Sequence, residues 1–227
     1  MTAVSADRTG ATANREASFR YGVVLAIVLV FVLLEVLSPD AHWSRAAGVG
    51  LASAALSVAI ATSRERAEVR RARTLLFGGV AFLVVIAILV GLLSDAVTFI
   101  VGTLIVAAIP VALGGGVVRL MNSEGVTIQA VAGALAIYLV IGMLFASAIG
   151  FVKAVDSGPY FMQSHVDNGD VVYYSFTVMT TTGFGDFTAA QPVGHALAVL
   201  EMLTGQIYLV TVIGILIGNF VGRRSRK

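Results

Sequence analysis

Five stretches of this sequence run for about twenty residues with almost no charge, the length a helix needs to cross the hydrocarbon core of a bilayer. They fall at roughly 21–37, 74–93, 96–118, 127–152 and 193–222. A sixth, roughly 44–63, is diluted by Ala, Ser and Gly, small residues that permit close contact between helices in a bundle. No single globular core hides this much apolar surface. Of 227 residues, 58% are hydrophobic and 12% charged, and the mean hydropathy is +0.93; a soluble domain carries about 25% charged residues. The chain therefore reads as an all-α membrane protein.

Basic residues set the orientation, because Lys and Arg concentrate in the cytoplasmic loops of membrane proteins. With six spans and a cytoplasmic N-terminus, all but two of the 15 Lys and Arg residues fall inside; Arg45 and Lys153 are the exceptions. Asp40, Asp95, Asp156, Asp167, Asp170 and Asp186 then fall outside. Omitting the weak second span puts the run from Arg64 to Arg73 on the wrong side, so six spans with both ends cytoplasmic is the consistent count. That run reads as a solvated loop, with contact to anionic lipid headgroups as the sharper alternative. The first 19 residues read as a disordered polar tail. They lack the arrangement of a cleaved signal peptide, because the apolar run from Tyr21 is long enough to span.

Between the last two spans lies a segment too short and too polar to be another. Asn168 to Thr180 has an Asn/Asp start signal and then about ten helix-compatible residues, enough for half a crossing. Thr181-Thr182-Gly183-Phe184-Gly185-Asp186 follows, with two glycines flanking an aromatic. The pair predicts a re-entrant loop that enters as a helix and returns as extended backbone. Irregular backbone at membrane depth is tolerated only where it is buried in protein or lines an aqueous path, so a water-filled axis is expected beside residues 181–185. Glycine accepts backbone angles barred to other residues, which lets successive carbonyls face one way and replace an ion's hydration shell. One such strand cannot enclose an ion, and the chain has one, so a ring of copies is expected.

This stretch resembles the selectivity filter of the potassium-channel superfamily, whose usual form is TVGYG. The similarity covers residues 127–222 and is to the small bacterial members. It implies K⁺ as the permeant ion, bound by the carbonyls of Thr181, Thr182, Gly183 and Phe184 and by the Thr181 hydroxyl, with Gly185 closing the filter. It also implies Asp186 at the outer mouth and Thr180 and Thr177 among the pore-helix supports. Thr182 replaces the usual Val and Phe184 the usual Tyr. The first substitution offers a side-chain hydrogen bond behind the filter; the second removes a bracing hydroxyl.

The final span contains Glu201-Met-Leu-Thr-Gly205-Gln206-Ile-Tyr208, which is similar to the family's inner helix. Gly205 falls where those channels place a gating hinge; close helix packing is the alternative. An acid inside a membrane is costly and faces protein or water, so Glu201 is expected as a protonated or hydrogen-bonded brace behind the filter. Steps of three, four and four place Gln206, Leu209, Ile213 and Ile217 on one helical face, the expected lining of an inner cavity. Gly214, Gly218 and Gly222 read as a helix-packing seam.

The domain division follows: a tail at 1–19, a four-helix domain at 20–122, a pore domain at 123–222 and a basic tail at 223–227. The fourth span, Val97 to Val118, carries no charge and has Arg119 only at its inner end. Voltage sensing needs charges that move through the field, so little gating-charge movement is expected. Pro110 and Gly114-Gly115-Gly116 predict a bent, loosely ended helix there. Glu35 is placed near the outer end of the first span.

No disulfide or thiolate site is possible without cysteine. A net charge of +2 does not suggest nucleic-acid binding. Nothing in the sequence suggests an enzyme or a cofactor; His42, His165 and His195 are scattered, and His195 is at best a pH modifier. The expectation is a homotetrameric potassium channel of the plasma membrane. A weakly selective monovalent cation channel and a non-conducting scaffold are the rivals, and a proton-coupled transporter fits less well.

Overall fold

The computed structural model describes residues 21–37, 42–62, 78–80, 82–92, 95–124, 126–156 and 158–218. The expected tails at 1–19 and 223–227, the Arg64–Arg73 run and part of the 74–93 span lie outside the described residues. Among those described, the fold is helical, with one isolated antiparallel bridge between Phe161 and Ala189.

Helix α1 covers Tyr21–Leu37. Its buried residues are Tyr21, Val24, Val28 and Phe31, a three-and-four spacing that lays one stripe against the bundle. Helix α2 is His42–Thr62 and buries Ala52, Ala55, Leu56, Ala59 and Ile60. Its small residues bring the backbones together, and Ser53 and Ser57 return their hydroxyls to Val49 and Ser53 carbonyls at 2.7 and 2.8 Å. A short helix, α3, covers 82–89.

Helix α4, Asp95–Glu124, is an unbroken run of 30 residues. It continues through Pro110 and through the three glycines, where the sequence predicts a loose end. Packing supplies the reason: Ile109, Leu113 and Val117 are buried on one face, along which α4 lies against α5. That contact holds the turn whose backbone donor proline removes.

Helix α5, Ile128–Val155, is capped by Thr127, whose side chain accepts from the Ala130 N–H at 3.3 Å. It is central: α4 packs on one side, and α6 (Asn168–Met179) and α7 (Pro192–Ile207) on the other. The leading helices also reach α6 through a cavity of about 90 Å³, walled in part by Glu35, Gly48, Thr98, Met143 and Asn168.

Among the described residues, three helical runs are long and apolar enough to cross a membrane: Ile100–Val118, Ile128–Val155 and Pro192–Gly218. Tyr21–Leu37 and Ala46–Ile60 are apolar but shorter. Between helices in lipid there is little hydrophobic driving force, so close packing and interhelical hydrogen bonds carry the assembly.

Candidate ion pathway

Helix α6 begins where the sequence provides an N-cap. The Asp167 side chain accepts from the Asp170 N–H at 2.8 Å, and Asp170 accepts from the Asp167 N–H at 3.1 Å, a reciprocal capping box. Twelve residues at about 1.5 Å each give a helix of roughly 18 Å, close to half a bilayer core. Its inward side buries Val171, Val172, Tyr174, Ser175, Val178 and Met179 against α5 and α7.

The chain then leaves the helix without losing its hydrogen bonds. Thr181 N–H donates to Val178 O at 2.9 Å, and the N–H groups of Thr182 and Gly183 both donate to Thr177 O, at 2.9 and 3.1 Å. The backbone next alternates in hand. Thr181, Gly183 and Gly185 have φ of 58°, 52° and 80°, whereas Thr182 and Phe184 between them do not enter the positive region. In an ordinary strand, successive carbonyls point to opposite sides. Alternating hand allows them to face one side instead.

Gly183 and Gly185 adopt this geometry freely. Thr181 does not: a left-handed non-glycine residue costs about 1–2 kcal/mol. Its hydroxyl donates to Thr180 O at 2.7 Å and accepts from Gln206 Nε2 at 3.3 Å, contacts that help hold it. Thr180 donates to Phe176 O at 2.7 Å, and its hydroxyl lies 2.8 Å from that of Thr182, so the residue replacing the usual Val makes a side-chain hydrogen bond.

Thr180 to Asp186 are all exposed on the single chain. Asp186 Oδ1 accepts from the Phe187 N–H at 3.1 Å, and the Tyr173 hydroxyl faces the same carboxylate. The Phe184 ring lies parallel to Tyr173 at 6.4 Å between centroids, and Phe187 meets Tyr173 edge-on at 6.1 Å. Phe161 joins this aromatic set through Tyr174 and Phe187. In the segment before α6, the Tyr160 phenol is pushed up from its ordinary value by burial and by Tyr174 and Glu201. His195 Nε2 is 2.9 Å from Ala189 O, a local contact at the start of α7.

Helix α7 brings three of the expected residues to this region. Glu201 is fully buried against Ser175. Gly205 meets the end of α6 so closely that a Cβ there would collide with the Met179 carbonyl oxygen, which gives this glycine a packing reason. Gln206 reaches Thr181. Below them the helix widens: Tyr208–Ile213 is π-helical, and the Gly214 N–H reaches back five residues to Leu209 O. The tyrosine hydroxyl at 208 donates to Ala134 O on α5 at 2.8 Å, with its ring 5.9 Å from that of Tyr138.

The widened turn absorbs an extra residue and changes the lower face. Ile213 turns into the chain's own core with Leu216, Leu209 is half-buried and Ile217 is exposed. The expectation that Gln206 and Ile213 share a face assumed uninterrupted α-helical steps. With the π turn counted, the face of Gln206 continues through Val210, Gly214 and Gly218, all exposed. No other part of the described chain packs on Gly218.

Residues 133–221 match a family model described as an ion channel. This part of the chain is similar to ion-channel domains. The match agrees with the resemblance to pore-loop potassium channels and covers less than half of the chain. Searches among curated proteins and solved structures return no match.

Within residues 133–221, sequence reasoning missed Ser175, the aromatic set around Tyr173, and the reach of Gln206 to Thr181. A lone acid in an apolar helix needs a donor, and a serine in the buried helix before the filter was the available signal. The aromatic contacts join residues up to 26 positions apart, from Phe161 to Phe187, and carry no periodic pattern.

Proposed function

We propose that four copies of this chain assemble around their residue 181–185 segments to form a potassium-selective channel of the plasma membrane. The observation that carries this reading is the alternating backbone at Thr181, Gly183 and Gly185, whose N–H edge is tied to α6 at its start. Carbonyls of Thr181 to Phe184, with the Thr181 hydroxyl, replace the hydration shell of K⁺, which then passes down its electrochemical gradient without chemical reaction. Gly185 closes the filter, Asp186 lies at the outer mouth, and Thr177, Thr180 and Glu201 support the pore helix. The inner cavity is lined on the Gln206 face by Val210, Gly214 and Gly218. In this reading the chain crosses the bilayer six times with both ends cytoplasmic, and the loop from α6 to α7 is re-entrant. Gly205 packs tightly, so motion of the inner helix is assigned to the π turn below it.

Two features support four-fold assembly. One chain supplies one filter strand, and it leaves Thr180 to Asp186 open on its surface. The weakly selective rival shares the whole pore and differs only in how well the filter discriminates.

Flux into liposomes carrying purified protein tests the reading, with sodium as comparison and Gly183→Ala as control. The substitution puts a side chain on a left-handed residue, at about 1–2 kcal/mol. Potassium flux well above sodium flux, lost in G183A, is expected. Equal fluxes lost in the variant favour the weakly selective channel, and no flux from folded tetramers contradicts conduction.

A further inference from the structure

Ser175 sits where three helices meet: on α6, between α5 and α7. It is fully buried, as is Glu201. Its Oγ lies 2.8 Å from Gly142 O on α5 and 2.5 Å from Glu201 Oε1 on α7. A serine hydroxyl has a single hydrogen to donate. The Gly142 carbonyl can only accept, so a hydrogen bond there uses that hydrogen. The shorter contact to Glu201 then places oxygen against oxygen and needs a second hydrogen between them. The carboxyl is the only group that can bring one.

The rest of the carboxyl's surroundings point the same way. Glu201 Oε2 is buried with no hydrogen-bond partner among the described residues. For an ionised carboxylate this leaves charge facing protein with nothing to compensate it, whereas a neutral acid leaves only a carbonyl-type acceptor. The titratable groups near enough to feel Glu201 are phenols: Tyr138 on α5, Tyr174 on α6 and Tyr160 in the segment before α6.

We propose that Glu201 is a proton-carrying latch: its neutral carboxyl donates to Ser175, Ser175 donates to Gly142, and this relay fastens the inner helix through the pore helix to the outer helix. The latch lies two residues before Thr177, whose carbonyl receives the N–H groups of Thr182 and Gly183. Loss of the proton removes one of two hydrogens from a three-oxygen chain and places an ion in the seam. The pore helix then shifts, and with it the anchored end of the filter. Glu201 is a positioning residue, acting on ions only through α6. The functional part of this inference rests on the channel reading; the protonation does not.

The test therefore has two arms. Infrared spectra of the purified protein read the acid directly: a buried carboxylic C=O band is expected in the wild type and absent from E201Q. Liposome flux reads its consequence. E201Q keeps a neutral donor toward Ser175 and retains flux and tetramer stability, whereas E201A and S175A lose flux. Raising the pH in the wild type removes the carboxylic band and lowers flux together, and E201Q does not respond. An unchanged infrared spectrum in E201Q, or flux as impaired in E201Q as in E201A, overturns the proposal. If the wild type conducts no ions, the channel reading fails while the infrared arm still decides the proton.

Discussion

Gly183 and Gly205 are glycine for different physical reasons, and the difference predicts how each responds to a methyl group. At Gly183 the constraint is backbone hand, with φ of 52° and open space around the missing Cβ. At Gly205 the backbone is helical and the constraint is contact with the Met179 carbonyl. Gly205→Ala therefore forces α7 away from the end of α6, at about 1–3 kcal/mol for an overpacked site. Thermal unfolding of the purified protein should show that loss, whereas Gly218→Ala, with no neighbour within 4 Å, should leave stability unchanged. Equal stability of the two variants contradicts the packing role. At this scale the sequence was informative where a residue's need is local. The threonine–glycine pattern at 181–185 announces backbone geometry by itself. Glu201 announced a need for a partner without naming it, because Ser175 lies 26 positions away and only the crossing of α6 with α7 brings them together.

Among the elements, α6 was readable in advance because its start is written in adjacent residues: Asp167 caps it and Asp170 completes the box. The inner helix was readable in extent but not in phase. Its π turn begins at Tyr208, whose hydroxyl meets the Ala134 carbonyl, a contact between residues 74 positions apart. Such turns recur at functional sites, and here the phase has a checkable consequence. The chain contains no cysteine, so single cysteines can be read without background. Val210→Cys should react with a cationic thiol reagent applied from the inner side and block flux, while Ile213→Cys, buried with Leu216, should not. The reverse pattern restores the uninterrupted α-helical face. Tyr208→Phe removes one interhelical hydrogen bond, worth about 0.6 kcal/mol on average in a membrane bundle and up to about 1.7 kcal/mol. Denaturation should report a loss in that range with the potassium-to-sodium flux ratio unchanged, because the filter anchors on α6 are untouched. A changed flux ratio contradicts that separation. Helix α4 teaches the opposite lesson: Pro110 and three glycines argue locally for a bent, loosely ended helix, yet it runs on to Glu124 with Ile109, Leu113 and Val117 buried.

For the molecule as a whole, the division of labour follows the chain. Helices α1, α2 and α4 form a bundle with small, closely packed interfaces and no row of charges on α4 between Ala96 and Val118. Helices α5 to α7 carry the stretch that is similar to ion-channel domains, with α5 as the surface on which both halves meet. Membrane character was legible from composition alone. The contact between the halves was not, because it is made by ordinary apolar residues whose faces are set only once α4 and α5 are aligned. The central claim concerns what passes beside Thr181 to Phe184. Its most direct test is the reversal potential of purified wild-type channels in a planar bilayer with potassium salt on one side and the same concentration of sodium salt on the other. A current that reverses far from zero, on the side set by potassium leaving its compartment, is the predicted result; reversal at zero contradicts potassium selectivity.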